Sequence, residues 1–146
     1  MANYCCAIRT NYFRVKDEDK FRALMNRVYG LEDSVELWEE KHGEQTIFGF
    51  GCYGGIAGVR NAMSDEDDDI DEDTAYDEFV KGLQECVADD DAIIIMEAGN
   101  EKLRYVIGAA TVITSNGYEY LDIERIATAK GAEMLNHPEW KTQCDY

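Results

Sequence analysis

The stretch that decides the fold is residues 91–123, DAIIIMEAGNEKLRYVIGAATVITSNGYEYLDI. It contains three runs rich in β-branched and aromatic residues, a composition typical of strands. GNEK separates the first two runs, and SNGY separates the last two. Asn-Gly is a strong signal for a tight turn between antiparallel strands. We therefore predict three consecutive strands, the last two of which form a hairpin.

Outside this stretch, apolar residues recur every three or four positions in three segments, which predicts three amphipathic helices. The first covers residues 17–30, with Asp17 as its N-cap and Gly30 at its C-terminal end. The second covers residues 74–91. The third covers residues 123–135 and has Asp122 as its N-cap; Gly131 weakens its helical signal.

Two further segments have the composition of strands. YCCAIRTNYFRV begins at Tyr4, and SVELWEEKHGEQTIFGFGCYG (34–54) predicts a hairpin that turns at KHGE, where Gly43 can adopt a positive φ and His42 is a turn residue. The order is strand, helix, two strands, acidic loop, helix, three strands, helix. This order predicts one α+β domain over residues 1–146, with a mostly antiparallel sheet of five to six strands and about three helices packed on one face.

Composition limits the classes of protein that this chain can represent. Apolar residues make up 45% of the 146 positions, enough for a core. The first residues lack the pattern of a signal peptide, and the longest strongly apolar run is AIIIM, so we expect a soluble, cytoplasmic protein. The five cysteines lack paired spacing, which predicts reduced, mostly buried thiols and no zinc motif.

The motifs of common enzyme classes give little support to catalysis. GFGCYG (49–54) has the letters of a dinucleotide fingerprint, but no amphipathic helix follows it. We interpret it as a strand whose glycines form a bulge or lie beneath an aromatic ring. Neither GxSxG, HExxH nor a P-loop is present. An acid–base pair among Glu97, Glu101 and Glu119 is the remaining catalytic alternative.

The net charge of −17 is concentrated in one part of the chain. Residues 61–91 contain fourteen acids and a single base, Lys81, and carry −13. Within them, SDEDDDIDEDTAYDE (64–78) has ten carboxylates in fifteen residues, and we predict an acidic loop near residues 64–74. Such a field opposes direct binding to nucleic acid or to an anionic membrane, and it favours a basic partner or a cation.

Three interpretations of the acidic run remain open. A solvated loop needs no partner. A calcium loop beginning at Asp67 would place Asp69, Asp71 and Glu78 at ligand positions, but Glu72 occupies the position that requires glycine. The third interpretation is imitation of a polyanion, because fourteen carboxylates at the charge density of duplex DNA would cover about 24 Å.

In charge and size the chain resembles the DNA-mimicking antirestriction and anti-CRISPR proteins of phages and conjugative elements. RTNYFRVKD (9–17) and EAGNEKLRYVIG (97–108) are similar to segments of small accessory proteins of bacterial mobile elements. The resemblance implies a non-enzymatic inhibitor, without cofactor or metal, that blocks the channel of a basic nucleic-acid-binding protein such as a CRISPR effector or a restriction enzyme. The alternatives are a calcium-binding module and a small enzyme with an unrecognised carboxylate site. The predicted partner-binding residues are Asp65, Glu66, Asp67, Asp68, Asp69, Asp71, Glu72, Asp73, Asp77, Glu78, Glu85, Asp89, Asp90 and Asp91.

Overall fold

The computed structural model describes residues 4–60 and 72–143, with the backbone alone for residues 72–74. These residues form a six-stranded antiparallel sheet, a separate two-stranded sheet and three helices, which confirms the predicted α+β class. The elements are β1 (Cys5–Thr10), α1 (Glu18–Asn26), β2 (Val28–Gly30), β3 (Glu36–His42), β4 (Gln45–Tyr53), β5 (Ile56–Val59), α2 (Glu72–Cys86), β6 (Ile93–Glu101), β7 (Tyr105–Thr114), β8 (Gly117–Asp122) and α3 (Ile123–Met134).

The large sheet has the order β3-β4-β1-β6-β7-β8, so the first strand lies near its centre. Ile8 of β1 is paired with Cys52 on one side and with Glu97 on the other. The β3–β4 hairpin turns at Gly43, whose φ is 70°, as predicted. The β7–β8 hairpin closes on the pair Thr114 and Gly117, which confirms the turn signal in SNGY.

One face of the large sheet, here called the core face, packs against α1 and α2. Alternate strand residues point to this face, among them the buried Ile8, Phe50, Ile95 and Ile113. Helix residues and the connecting Phe13 complete the core. The rings of Phe13 and Phe21 meet edge to face at 5.5 Å, within the range that aromatic pairs prefer.

Helix α1 has the predicted N-cap, but it ends before the predicted C-terminal residue. The Asp17 side chain accepts a hydrogen bond from the Lys20 backbone N–H at 3.1 Å. The helix ends at Asn26, and the prediction that it continues to Gly30 was wrong. The physical reason is strand pairing: Val28 pairs with Val59 in the two-stranded sheet, so the apolar periodicity continues after the helical backbone has stopped.

Helix α2 starts at Glu72 and ends at Cys86, so its last five predicted residues lie outside the helix. Residues 72–74 of the predicted acidic loop are helical, and residues 64–71 lie outside the described residues. Val87 instead forms a bridge with Val15. This bridge ties the end of α2 to the segment that connects β1 with α1.

Helix α3 has the predicted cap, because the Asp122 side chain accepts a hydrogen bond from the Glu124 backbone N–H at 2.8 Å. Gly131 does not interrupt the helix. It makes room for Trp140, since a methyl group at Gly131 would lie 2.9 Å from the Trp140 ring. Helix α3 packs against β7 and β8, and Ile123 contacts Gly108 on the face opposite the core face. The expectation that all helices pack on one face of the sheet was therefore wrong for α3.

Gly49 and Gly51 of GFGCYG lie within β4, beneath an aromatic ring as predicted, whereas Gly54 follows the strand. A methyl group at Gly51 would lie 2.9 Å from the ring of Trp38, and one at Gly49 would lie 3.4 Å from it. The motif thus serves sheet packing. Among the helices of residues 4–60 and 72–143, none has the length and apolar content needed to cross a membrane.

Candidate acidic interaction surface

Helix α2 carries the described part of the acidic surface. Its buried Phe79, Val80 and Leu83 pack into the core and fix the orientation of the helix. Asp77 and Glu78 are consequently held on the exposed side. The structure therefore presents these two carboxylates from a rigid element, which is the property that a polyanion-like surface needs.

The three remaining α2 acids have different surroundings. Glu72 and Asp73 lie in the first turn, where the positive end of the helix dipole favours negative charge. Glu85 and Glu78 line a groove of about 330 Å³ between α1 and α2. Three basic residues, Lys20, Arg27 and Lys81, line the same groove, so the charge is locally balanced there.

Asp89, Asp90 and Asp91 bind basic residues of the segment after β1. Asp90 forms an ion pair with Arg14 at 2.9 Å, and Asp89 forms one with Lys16 at 2.9 Å. Hydrogen bonding to Lys16, followed by its positive charge, lowers the pKa of Asp89. Asp91 is half-buried and accepts a hydrogen bond from the Arg14 backbone N–H at 2.8 Å. These carboxylates support the fold and are partly neutralised by it.

The densest acidic residues, Asp65 to Asp69 and Asp71, lie outside the described residues. The candidate calcium loop that starts at Asp67 therefore lies only partly within the described residues. Its sixth to twelfth positions are residues 72–78, and these are helical from Glu72 onward. A calcium loop must instead turn sharply at its sixth position. Within the described part of the chain, no group of three or more His, Cys, Asp or Glu side chains could hold a metal ion.

A second cluster of titratable groups lies on the core face beside Glu97. The Tyr4 hydroxyl donates a hydrogen bond to Glu97 Oε2 at 2.7 Å. Burial, together with the neighbouring Glu97, raises the pKa of Tyr4. Burial is also the main cause of the raised pKa values of Cys6 and Tyr120. At neutral pH these groups stay protonated, so the Cys6 thiol is a poor nucleophile and the Tyr4 phenol can donate its hydrogen bond.

Of the three carboxylates considered for acid–base chemistry, Glu97 and Glu119 do not converge. Glu97 pairs with Ala109 of β7 and shares the core face with Ile8. Glu119 pairs with Val112 of β7. Because Val112 is three residues from Ala109 along the strand, its side chain points to the opposite face of the sheet. Glu97 and Glu119 therefore lie on opposite sides of the sheet. Sequence reasoning missed the Tyr4–Glu97 contact, because the two residues are 93 positions apart and carry no motif.

The four thiols of the described residues partly match the prediction from the sequence, and Cys144 lies outside those residues. Cys52 and Cys86 are buried, and burial raises the pKa of both. Cys6 is half-buried, whereas Cys5 is exposed. Thiols with raised pKa values have little thiolate at neutral pH, so Cys52 and Cys86 act as small apolar core residues.

Comparison of the chain with protein-family models, curated proteins and solved structures finds no match. Function must therefore be inferred from the residues and contacts of this chain.

Proposed function

We propose that the protein is a non-enzymatic interaction protein that presents an acidic, DNA-like surface to a basic nucleic-acid-binding protein. The observation that carries this proposal is the concentration of −13 of the net charge in residues 61–91, next to and along a helix anchored by Phe79 and Leu83. A field of this strength attracts basic surfaces and accelerates their association.

The contacts of the described acids support a larger contribution from some of them to the proposed surface. Asp77 is exposed and does not line the basic groove. Asp89, Asp90 and Asp91 contribute less than the other acids, because Arg14 and Lys16 already bind them. The proposed contact is therefore centred on the run from Asp65 to Asp73 and on the first half of α2.

The proposed partner belongs to the class of host-defence nucleases, which includes CRISPR effectors and restriction enzymes. Such proteins hold DNA in channels lined with Lys and Arg, and a carboxylate surface can occupy those channels in place of phosphates. The protein then inhibits by exclusion of DNA. No reaction, cofactor or direct contact with nucleic acid is required.

The test compares two variants with the same loss of charge. In the first, Asp67, Asp68, Asp69, Asp71 and Asp73 are changed to Asn. In the control, five exposed acids elsewhere are changed to Asn or Gln: Asp33, Glu40, Glu44, Glu119 and Glu139. Each protein is immobilised and exposed at low salt to a lysate of a bacterium that carries restriction and CRISPR systems.

We expect the parent and the control variant to retain the same basic protein and to release it when duplex DNA or salt is added. The first variant should retain at least tenfold less, because binding through many charges is lost steeply as charges are removed. Equal retention by the two variants would show that net charge alone acts. Retention that duplex DNA does not compete would rule out the DNA-like mode.

A further inference from the structure

The face of the large sheet opposite the core face, here called the outer face, is unusually apolar. An antiparallel sheet with one buried face normally exposes polar residues on the other. Here the strand registers place mostly small and apolar residues on the outer face of the four central strands. Arg9 is the single charged residue among them. The set is Cys5, Ala7, Arg9, Gln45, Ile47, Gly49, Gly51, Tyr53, Ile94, Met96, Ala98, Asn100, Val106, Gly108, Ala110, Val112 and Thr114.

A groove of about 440 Å³ crosses this outer face. Its floor contains small residues such as Ala7 and Ala98, which leave room for an approaching element. Trp38, Tyr53 and Met96 form apolar walls, and Tyr53 and Met96 are 69% and 42% exposed. Large apolar side chains that line a groove and remain exposed are typical of a protein-binding surface.

Helix α3 has the complementary property of an uncovered apolar side. Ile123, Ile126 and Met134 are 60%, 53% and 78% exposed, and Ala132 is the buried residue of this helix. The helix packs against β7 and β8 at the border of the outer face, whereas the groove is lined by residues of β1, β3, β4 and β6. Neither apolar surface thus covers the other within one chain.

Charge favours a second copy of this chain as the occupant. The chain carries −17, yet α3 has two acids and two bases and is neutral. The groove has one base on the outer face, Arg9, whose guanidinium stacks over Trp38 at 5.1 Å, and one acid, Glu36, which pairs with Gly51. Within the described residues Arg9 forms no ion pair, and the exposed Glu124 of α3 can supply a carboxylate from a second copy. Two copies can therefore meet through two surfaces that each carry no net charge, although the whole chain carries −17.

We propose that two copies form a symmetric dimer in which α3 of each copy packs into the outer-face groove of the other. Such a contact joins two copies only, because the helix and the groove of each copy are both occupied by the other copy. It buries two apolar surfaces that are otherwise exposed to water, which is the main driving force for association. The dimer leaves the acidic side of α2 exposed, so it does not depend on the proposed function.

The test measures molecular mass by analytical ultracentrifugation over about 1 to 100 μM protein. The first variant is Met96→Glu in the groove, and the second is Ile126→Glu on α3. The control is Leu103→Glu, which makes the same kind of change at a residue that is 84% exposed in the β6–β7 turn. Thermal unfolding followed by circular dichroism checks that every variant is folded.

We expect the parent and Leu103→Glu to be dimers with the same dissociation constant. Met96→Glu and Ile126→Glu should each raise that constant at least tenfold, because each dimer would bury two unpaired carboxylates. Their thermal unfolding at concentrations where they are monomers should be cooperative, since both sites are exposed within one chain. A monomeric parent at the highest concentration would overturn the proposal. So would a parent dimer that either of the two variants leaves unchanged.

Discussion

Gly58 of β5 lies directly against the backbone of Ala75 in α2, so closely that a methyl group on Gly58 would overlap the Ala75 carbonyl group. The φ angle of Gly58 is 138°, which L-residues with side chains rarely adopt. These two residues join the small sheet to the helix that carries the acidic residues. The position of the acidic helix therefore depends on a glycine that bears no charge.

Gly58→Ala should destabilise the protein by more than about 2 kcal/mol, because the new methyl group adds overlap to backbone strain. Gly43→Ala is the control. Its φ of 70° is also unfavourable for alanine, but nothing lies within 4 Å of the added methyl group. It should cost only about 1 kcal/mol. Urea unfolding measures both values, and equal losses would contradict the close approach of α2 to β5.

Asp91→Ala should lower the free energy of unfolding by about 2 kcal/mol, since it leaves two backbone donors without their acceptor. These donors are the N–H groups of Arg14 and Ala92, each 2.8 Å from an Asp91 oxygen. Asp90→Ala is the matched control, because Asp90 has a side chain that is 75% exposed and forms a surface ion pair. It should change stability by less than about 1 kcal/mol. Similar losses in the two variants would mean that Asp91 is not a structural residue.

Tyr4→Phe should destabilise the protein by about 1 kcal/mol at neutral pH, because the hydrogen bond to Glu97 is lost. The difference should shrink as the pH rises above about 10, where tyrosine ionises in the unfolded chain. The direction of this pH dependence follows from the raised pKa of Tyr4. Because folding favours the protonated phenol, the stability that Tyr4 contributes is lost in alkaline solution.

Urea unfolding of the parent and of Tyr4→Phe across the alkaline range checks this behaviour. Tyr12→Phe is the control, because Tyr12 is 38% exposed and its hydroxyl forms no hydrogen bond within the described residues. It should leave the stability unchanged at neutral pH. A constant difference between the parent and Tyr4→Phe would show that Tyr4 ionisation is not linked to folding.

Addition of calcium to the parent protein should produce no saturable binding at about 1 mM metal in physiological salt. The reason is that Glu72 stands at the sharp turn of the best calcium register and already belongs to α2. Isothermal titration calorimetry measures the heat, with magnesium as the comparison. A one-to-one isotherm for calcium that magnesium does not reproduce would favour the cation-binding alternative.

Local patterns in the sequence predicted most elements of the fold. The Asn-Gly turn, the caps at Asp17 and Asp122 and the helix around Phe79 depend on near neighbours, and all were confirmed. The two-stranded sheet was missed because Val28 continues the helical periodicity, while its partner Val59 lies 31 positions away.

The candidate site was harder to predict than the fold. The density of acids is evident in the sequence, and the exposure of Asp77 and Glu78 follows from helical periodicity. The ion pairs of Asp89 and Asp90 could not be predicted, because their partners lie more than 70 residues earlier in the chain. Long-range pairing of this kind decides which acids are free to meet a partner.

The central place of β1 has a consequence for how the chain assembles during synthesis. Cys5 at the start of β1 pairs with Asn100 of β6, so one edge of β1 stays unpaired until residues about 95 positions later have emerged, although its other edge can pair with β4 sooner. The β3–β4 hairpin can form early. The half of the sheet that contains β1 cannot pair with the other half until β6 has been synthesised. Folding with such distant pairings is slow, and it leaves an unpaired strand edge near the ribosome. The strongly acidic stretch that emerges before β6 would keep such half-made chains apart by charge repulsion.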